Sequence, residues 1–369
     1  MEYIKLGAIC DVINGYAFKS KKYSTSGVRI IRITNVQKGY VEDASPVYYP
    51  LNTINELKKY ILYSGDLLIS LTGNVGRVAI LDKKYLPAFL NQRVACIRPK
   101  SDKILKEYLF YMLNTNLFEV KSINSSKGIA QKNISTEWLK NYVVPLPSIE
   151  IQQHLISILK KLEKAVRNKK HELRALDKLV KARFVEMFGN LKHNKKYKYK
   201  KISELTDVIS GGTPNRKNES YWQNGTIPWI KTTELKNNRI FSTDECITAL
   251  GLEHSSAKIV PPHTVLIAMY GQGKTRAMTA YLETSASTNQ ACACILPSSN
   301  IDSEYLWQYL ILSYHDLRSR AKGGNQPNLN SQIIKNFEIL VPPISLQNEF
   351  ANFVQQVDKS KVAVQNSLN

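Results

Sequence analysis

The run LIAMYGQGKT, Leu266 to Thr275, ends in Gly-Lys-Thr, the residues with which a phosphate-binding loop closes on a nucleotide. Such a loop also needs a glycine five positions before its second glycine, so that backbone N–H groups wrap the phosphates. A helix must then follow, with its N-terminus aimed at them. The earlier glycine position falls on Ala268, and the residues after Thr275, RAMTAYLETSASTNQACACIL, read as a β-rich run. A P-loop nucleotide hydrolase centred on Gly271 to Thr275 is therefore the enzymatic alternative. The competing reading takes Lys274 and Arg276 as cations presented on a loop tip.

Other reaction classes find less support. A DNA methyltransferase would carry a glycine-rich cofactor turn and an Asn/Asp-Pro-Pro-aromatic motif, but the Pro-Pro pairs sit in IVPPH and LVPPI, each after valine. The Glu-Leu-Lys runs at Glu56 and Glu234 lack the Pro-Asp partner of a nuclease carboxylate cluster. The six histidines show no His-Glu-x-x-His or His-x-x-x-His spacing, and no Gly-x-Ser-x-Gly elbow occurs. No catalytic residue, metal site or cofactor is expected in this chain.

Binding is the stronger reading, because charge is the unusual quantity. The 369 residues hold 51 Lys+Arg against 30 Asp+Glu, a formal +21, which favours a polyanionic partner through counterion release. Arginine and lysine suit guanine O6/N7 and phosphates, while asparagine and glutamine suit adenine N6/N7. Loop segments rich in these types give the candidate DNA-binding residues. The first half offers Lys19, Lys21, Lys22, Arg77, Arg93, Lys127, Gln131, Lys132 and Asn133; the second offers Asn215, Arg216, Lys217, Lys274, Arg276, Lys322, Asn325, Gln326 and Asn328. The structural alternative for the asparagines and glutamines, including the pairs Asn91–Gln92 and Asn289–Gln290, is turn capping. The basic run KHNKKYKYKK, Lys192 to Lys201, reads either as a phosphate grip or as a linker plus a half-exposed strand.

The elements that must position these loops are written twice. LNQRVACIRP (Leu90 to Pro99) returns as TNQACACILP (Thr288 to Pro297), and LKNYVVPLPSIEIQQHL (Leu139 to Leu155) returns as IKNFEILVPPISLQNEF (Ile334 to Phe350). CDVINGYAF (Cys10 to Phe18) is echoed by LTDVISGGTP (Leu205 to Pro214). The chain thus predicts two copies of one mixed α/β domain, each followed by a helix. From Ser148 to Phe188 there is no glycine or proline, and Ile151, Leu155, Ile158, Leu162, Leu173 and Leu176 fall on one stripe. That predicts a helix of about 40 residues, about 60 Å long. Leu346, Phe350, Phe353, Val357 and Val364 draw the matching stripe in the second copy. The two stripes are expected to pair as an antiparallel coiled coil. The expected boundaries are a first domain over 1–147, a central helix over 148–190, a second domain over 191–343 and a short helix over 344–369. The fold class is α+β, two tandem mixed α/β domains separated by long helices with pseudo-two-fold symmetry.

The N-terminal run MEYIKLGAICDVINGYAF lacks the basic, apolar and cleavage regions of a secretory signal, and no apolar run reaches membrane-spanning length. A cytoplasmic location with no membrane partner is expected. Cys10, Cys96, Cys246, Cys292 and Cys294 make an odd set without a Cys-x-x-Cys pair, and read as reduced packing residues.

GGTPNRKNESYWQNGTIPWIKTTEL (Gly211 to Leu235), LDKLVKARFVEMFGN (Leu176 to Asn190) and the repeated proline-rich stop before a glutamine-containing helix resemble the DNA-specificity subunit of type I restriction-modification enzymes. The resemblance covers nearly the whole chain. It implies two target-recognition domains, each reading half of a split, asymmetric duplex DNA sequence. The helices between them would bind two methyltransferase subunits, and restriction subunits would join through the complex. The partner subunits would supply the chemistry with S-adenosylmethionine, ATP and Mg. A specificity subunit serving a methylation-only complex is the variant within the same class.

Overall fold

The computed structural model describes residues 2–126, 132–191, 194–271, 273–323 and 327–367. The chain forms two compact units, Met1–Ala165 and Val166–Asn369.

In the first unit, the apolar runs near its repeated strings become a five-stranded sheet of β1 (Cys10–Asn14), β2 (Gly39–Tyr40), β3 (Leu67–Ser70), β4 (Val78–Ile80) and β5 (Val94–Pro99). Their order is β1-β5-β3-β4-β2, antiparallel except for the parallel outer pair β4 and β2. Val94, Ala95, Cys96 and Ile97 of β5 are all fully buried, as a strand covered on both faces must be. One face packs on α1 (Lys106–Leu113) and α2 (Asn116–Asn124), where Leu109, Leu113 and Phe118 are buried. The other face packs on a smaller sheet of Tyr48–Tyr49, Val28–Ile31, Ala88–Leu90 and Ile61–Leu62.

The second unit repeats the plan. Strands β6 (Val208–Ser210), β7 (Asn238–Ile240), β8 (Val265–Ala268), β9 (Thr279–Leu282) and β10 (Cys292–Ile295) lie in the order β6-β10-β8-β9-β7, with β9 and β7 parallel. A three-stranded sheet built on Ile227–Ile230 takes the place of the smaller sheet, and α4 (Ser303–Leu312) and α5 (Tyr314–Ser319) replace the helical pair. Each unit also closes with an antiparallel ribbon, Glu2–Lys5 with Val143–Leu146 and Lys198–Lys201 with Glu338–Val341.

The proline-rich stop followed by glutamine acquires a physical reason. The long helix α3 (Ile149–Phe188) begins with a fully buried Gln152. Its side-chain oxygen accepts from the Leu105 N–H at 2.8 Å, while its amide donates to the Lys103 carbonyl at 2.8 Å and the Pro147 carbonyl at 2.9 Å. The C-terminal helix Ile344–Asn366 begins with Gln347, 1% exposed, which accepts from Asp302 N–H at 2.9 Å and donates to the Pro342 carbonyl at 2.7 Å. One buried amide thus satisfies backbone groups that neither the helix start nor the preceding turn can pair alone.

In the second unit the C-terminal helix runs antiparallel to the end of the long one: Arg183 pairs with Glu349 at 2.9 Å and Asp177 with Lys361 at 2.9 Å. Val180, Phe184 and Phe188 bury their side chains against Phe350, Val354 and Val357. Phe184 meets Phe350 edge-on, centroids 5.3 Å apart, and stacks on Tyr305 at 5.6 Å. Arg239 locks the same helix to the sheet, bonding Asp358 at 2.9 Å, Glu283 at 2.7 Å and Glu304 at 2.5 Å beneath Tyr281 and Trp307. Burial pushes the Glu304 carboxyl above its ordinary range, and the Arg239 charge opposes that shift.

The apolar stripe expected along the whole long helix divides. Leu176 packs at the edge of this core and Leu173 is half-buried. Ile151, Leu155, Ile158 and Leu162 are instead 49%, 36%, 41% and 57% exposed. On the partner helix Phe350, Val357 and Val364 are buried, with Leu346 and Phe353 half-buried. Helical periodicity reports that an apolar face exists, and the cover it receives depends on which segment lies opposite.

Candidate nucleic-acid interface

Strand register decides which loops share an end of the sheet. In the first unit Asn14 pairs with Ala95 and Ser70 with Val94, so the segments after β1, after β3 and before β5 leave from one end. The Tyr16 N–H donates to Leu90 O at 2.8 Å, which holds the 15–23 segment there. Gly15 is required, because a Cβ on it would stand 2.1 Å from the Asn91 carbonyl oxygen. Ile134 N–H bonds Leu71 O at 2.9 Å and Gly73 N–H bonds Lys132 O at 3.1 Å, adding a fourth segment to the same end.

The second unit builds the same cluster from different residues. Ser210 pairs with Ala293 and Ala268 with Cys292. Gly212 N–H bonds Thr288 O at 2.8 Å, and a Cβ on Gly211 would stand 2.2 Å from that oxygen. Leu329 N–H bonds Met269 O at 3.0 Å, and the Ser210 and Ser331 hydroxyls meet at 2.7 Å. In each unit, four segments far apart in sequence meet at one sheet end.

The candidate residues fall on these segments with different degrees of freedom. Lys19, Lys21, Lys22, Arg93, Lys132, Lys217, Lys274 and Lys322 are exposed. Others are already engaged. Arg77 donates to the Gln37 side chain at 2.7 Å, and Asn133 accepts from Thr72 at 3.1 Å. Asn215 caps its own turn through Lys217 N–H at 3.0 Å, and Asn328 is tied into a bridge with Lys322. Arg276 donates to the Pro327 carbonyl. Arg216 bonds Glu245 at 2.6 Å and lies 3.7 Å from the Trp222 ring centroid. Hydrogen bonds from Lys231, at 2.5 Å, and from Arg216 hold the Glu245 carboxyl below its ordinary range. Lys127, Gln131, Asn325 and Gln326 lie outside the described residues.

The asparagine and glutamine at the strand starts are bonded within the protein. Asn91 accepts from Arg93 N–H at 3.2 Å, a turn cap, whereas Gln290 accepts from Thr213 across two loops. The Lys198–Lys201 end of the basic run is the exposed strand of a terminal ribbon. Gly-Lys-Thr forms no phosphate cradle here. Ala268 ends β8 as a fully buried strand residue, and the chain passes from Thr275 into β9 rather than into a helix.

Sequence reasoning missed the groups that hold the loops. Arg318 and Tyr314 on α5 bond backbone carbonyls of the 273–276 segment, and Trp222 and Trp229 wall in Arg216. Arg216 was named from its loop, but the sequence does not display the two tryptophans that sit against it.

Both units share one plan, a mixed α/β sheet with four segments gathered at one end. The chain belongs to the family of type I restriction-modification DNA-specificity proteins: the family model, type I restriction modification DNA specificity domain, matches residues 1–178 and again 194–369. The EcoR124I/EcoR124II specificity subunit of Escherichia coli is 25% identical over 270 residues, spanning 70% of this chain and 64% of that subunit. The MjaVIII specificity subunit of Methanocaldococcus jannaschii is 30% identical over 181 residues, 48% of this chain and 43% of the relative. The matches therefore span about two-thirds or less of these relatives. Among solved structures, the type I restriction-modification S subunit from M. genitalium superposes with a TM-score of 0.58 at 14% identity, covering 100% of this chain and 91% of that one. A chain from a study of type I complex assembly and conformational transition gives 0.61 at 15% identity, covering 100% and 92%.

Proposed function

We propose that each unit reads one half of a split duplex DNA sequence through the loops at its sheet end. The chain then acts as the non-catalytic specificity subunit of a type I complex. The observation that carries this reading is the paired loop cluster: one scaffold, used twice, with Arg77, Arg93 and Lys132 on one copy and Asn215, Lys217, Lys274 and Lys322 on the other. Equivalent frames with different tips fit two unlike half-sites. Exposed lysines hold phosphates, while the paired or capped groups fix the loops that carry them.

The long helix and the C-terminal helix are the docking elements for two methyltransferase subunits in this reading, the uncovered stripe Ile151–Leu155–Ile158–Leu162 being available for such contact. Those partners, with restriction subunits, would supply adenine methylation and ATP-dependent cleavage using S-adenosylmethionine, ATP and Mg. The test is selection from a randomised duplex library by the chain in complex with its methyltransferase subunit. Enrichment of two fixed half-sites separated by unspecified bases is expected; enrichment of one uninterrupted motif would contradict the reading.

A further inference from the structure

Resting on that DNA-reading role, we infer that Arg318 is a positioning residue that sets the base preference of the second unit by holding the loop whose tip is Lys274. The loop after β8 contains Gly271 at φ 142° and Gly273 at φ 59°. A Cβ on Gly273 would meet nothing within 4 Å, so that side of the turn is open. Its carbonyls are bonded from α5. One Arg318 terminal nitrogen donates to Arg276 O at 2.9 Å, the other donates to Gly273 O, and the Tyr314 hydroxyl donates to Lys274 O at 2.9 Å. Arg318 also donates to the Tyr314 hydroxyl at 3.2 Å, so the two act together. Arg276 then ties this loop to the neighbouring one through the Pro327 carbonyl.

The first unit achieves the same end differently. Ser70, the last residue of β3, accepts from Arg77 N–H at 3.0 Å and donates to the Asn74 carbonyl, bracing its loop from within. At the corresponding end of β8 stands Ala268, which has no hydroxyl. The external brace from Arg318 replaces that internal one. Guanidinium is suited to the task, because its rigid fork reaches two carbonyls at once where an ammonium is a single point. With the backbone held at three carbonyls, the exposed Lys274 side chain is presented for DNA.

The experiment is the same library selection, run on the full chain with its methyltransferase subunit and repeated with Arg318→Ala, Arg318→Lys, Tyr314→Phe, Lys274→Ala and the Arg318→Ala/Lys274→Ala pair. Arg318→Ala is expected to relax preference at the bases read by Lys274 by about tenfold, leaving the other half-site unchanged. Arg318→Lys should match it, Tyr314→Phe should relax it less, and the double variant should be no worse than Lys274→Ala alone. A brace that only stabilised the fold would lower affinity for every sequence without altering preference. That outcome overturns the inference, as does unchanged selection by Arg318→Ala or by Lys274→Ala. If Arg318→Ala fails to fold, judged by thermal unfolding, Arg318→Lys and Tyr314→Phe carry the test. Wild-type protein that enriches no split motif would instead sink the DNA-reading role itself.

Discussion

At the scale of single residues, the two buried glutamines make the clearest claim. Gln152 serves three backbone groups and Gln347 two, each at the first turn of a long helix. Replacing Gln152 with leucine strands a buried N–H and two carbonyls, at a cost of about 2–4 kcal/mol. Calorimetry should show the loss in the first unit's transition, and Gln347→Leu should produce a somewhat smaller loss in the second. The cysteines give a chemical counterpart. Burial pushes the Cys10 thiol up to about 12 and Cys294 to about 11, while Cys246 is the partly exposed one. A thiol reagent should therefore modify Cys246 in the native protein and the four buried cysteines only on unfolding. Rapid modification of all five would mean that the β5 and β10 interiors are open.

At the scale of elements, the long helix is two helices in energetic terms. Its last turns belong to a core, since Phe184 is fully buried among Tyr305, Tyr309 and Phe350. Phe184→Ala should therefore cost about 3–5 kcal/mol. Leu162, 57% exposed, has little to lose, and Leu162→Ala should change stability by less than about 0.5 kcal/mol. Unfolding in urea distinguishes the two, and equal losses would refute the division. Here the sequence was legible in part. The duplicated strings identified equivalent strands because both copies bury the same positions, and the 149–188 helix was plain from its spacing and lack of breakers. Periodicity could not say that Ile151 to Leu162 lie uncovered, because cover depends on chain far away in sequence. The loop sites divide for the same reason. Lys274 was visible as a cation on a turn, while Arg318, 45 residues from Gly273, was not visible as its brace. Arg216 was legible as a loop cation, while its partners Glu245 and Trp222 were not.

At the scale of the whole molecule, charge and duplication make one statement. A chain with a formal +21 that binds duplex DNA through about six phosphates should lose about a thousandfold in affinity between 50 and 200 mM salt. Titration of a fixed duplex at several salt concentrations checks this, and a flat response would point away from DNA. If the two units read separately, as proposed, exchanging the second unit's loops should rewrite one half-site and spare the other. The central claim is tested most directly by mapping modified adenines across the genome of cells that express this chain with its methyltransferase subunit. The account predicts one split, asymmetric motif with a modified adenine in each half. Modification within a single uninterrupted motif, or none from a complex that forms stably, would contradict it.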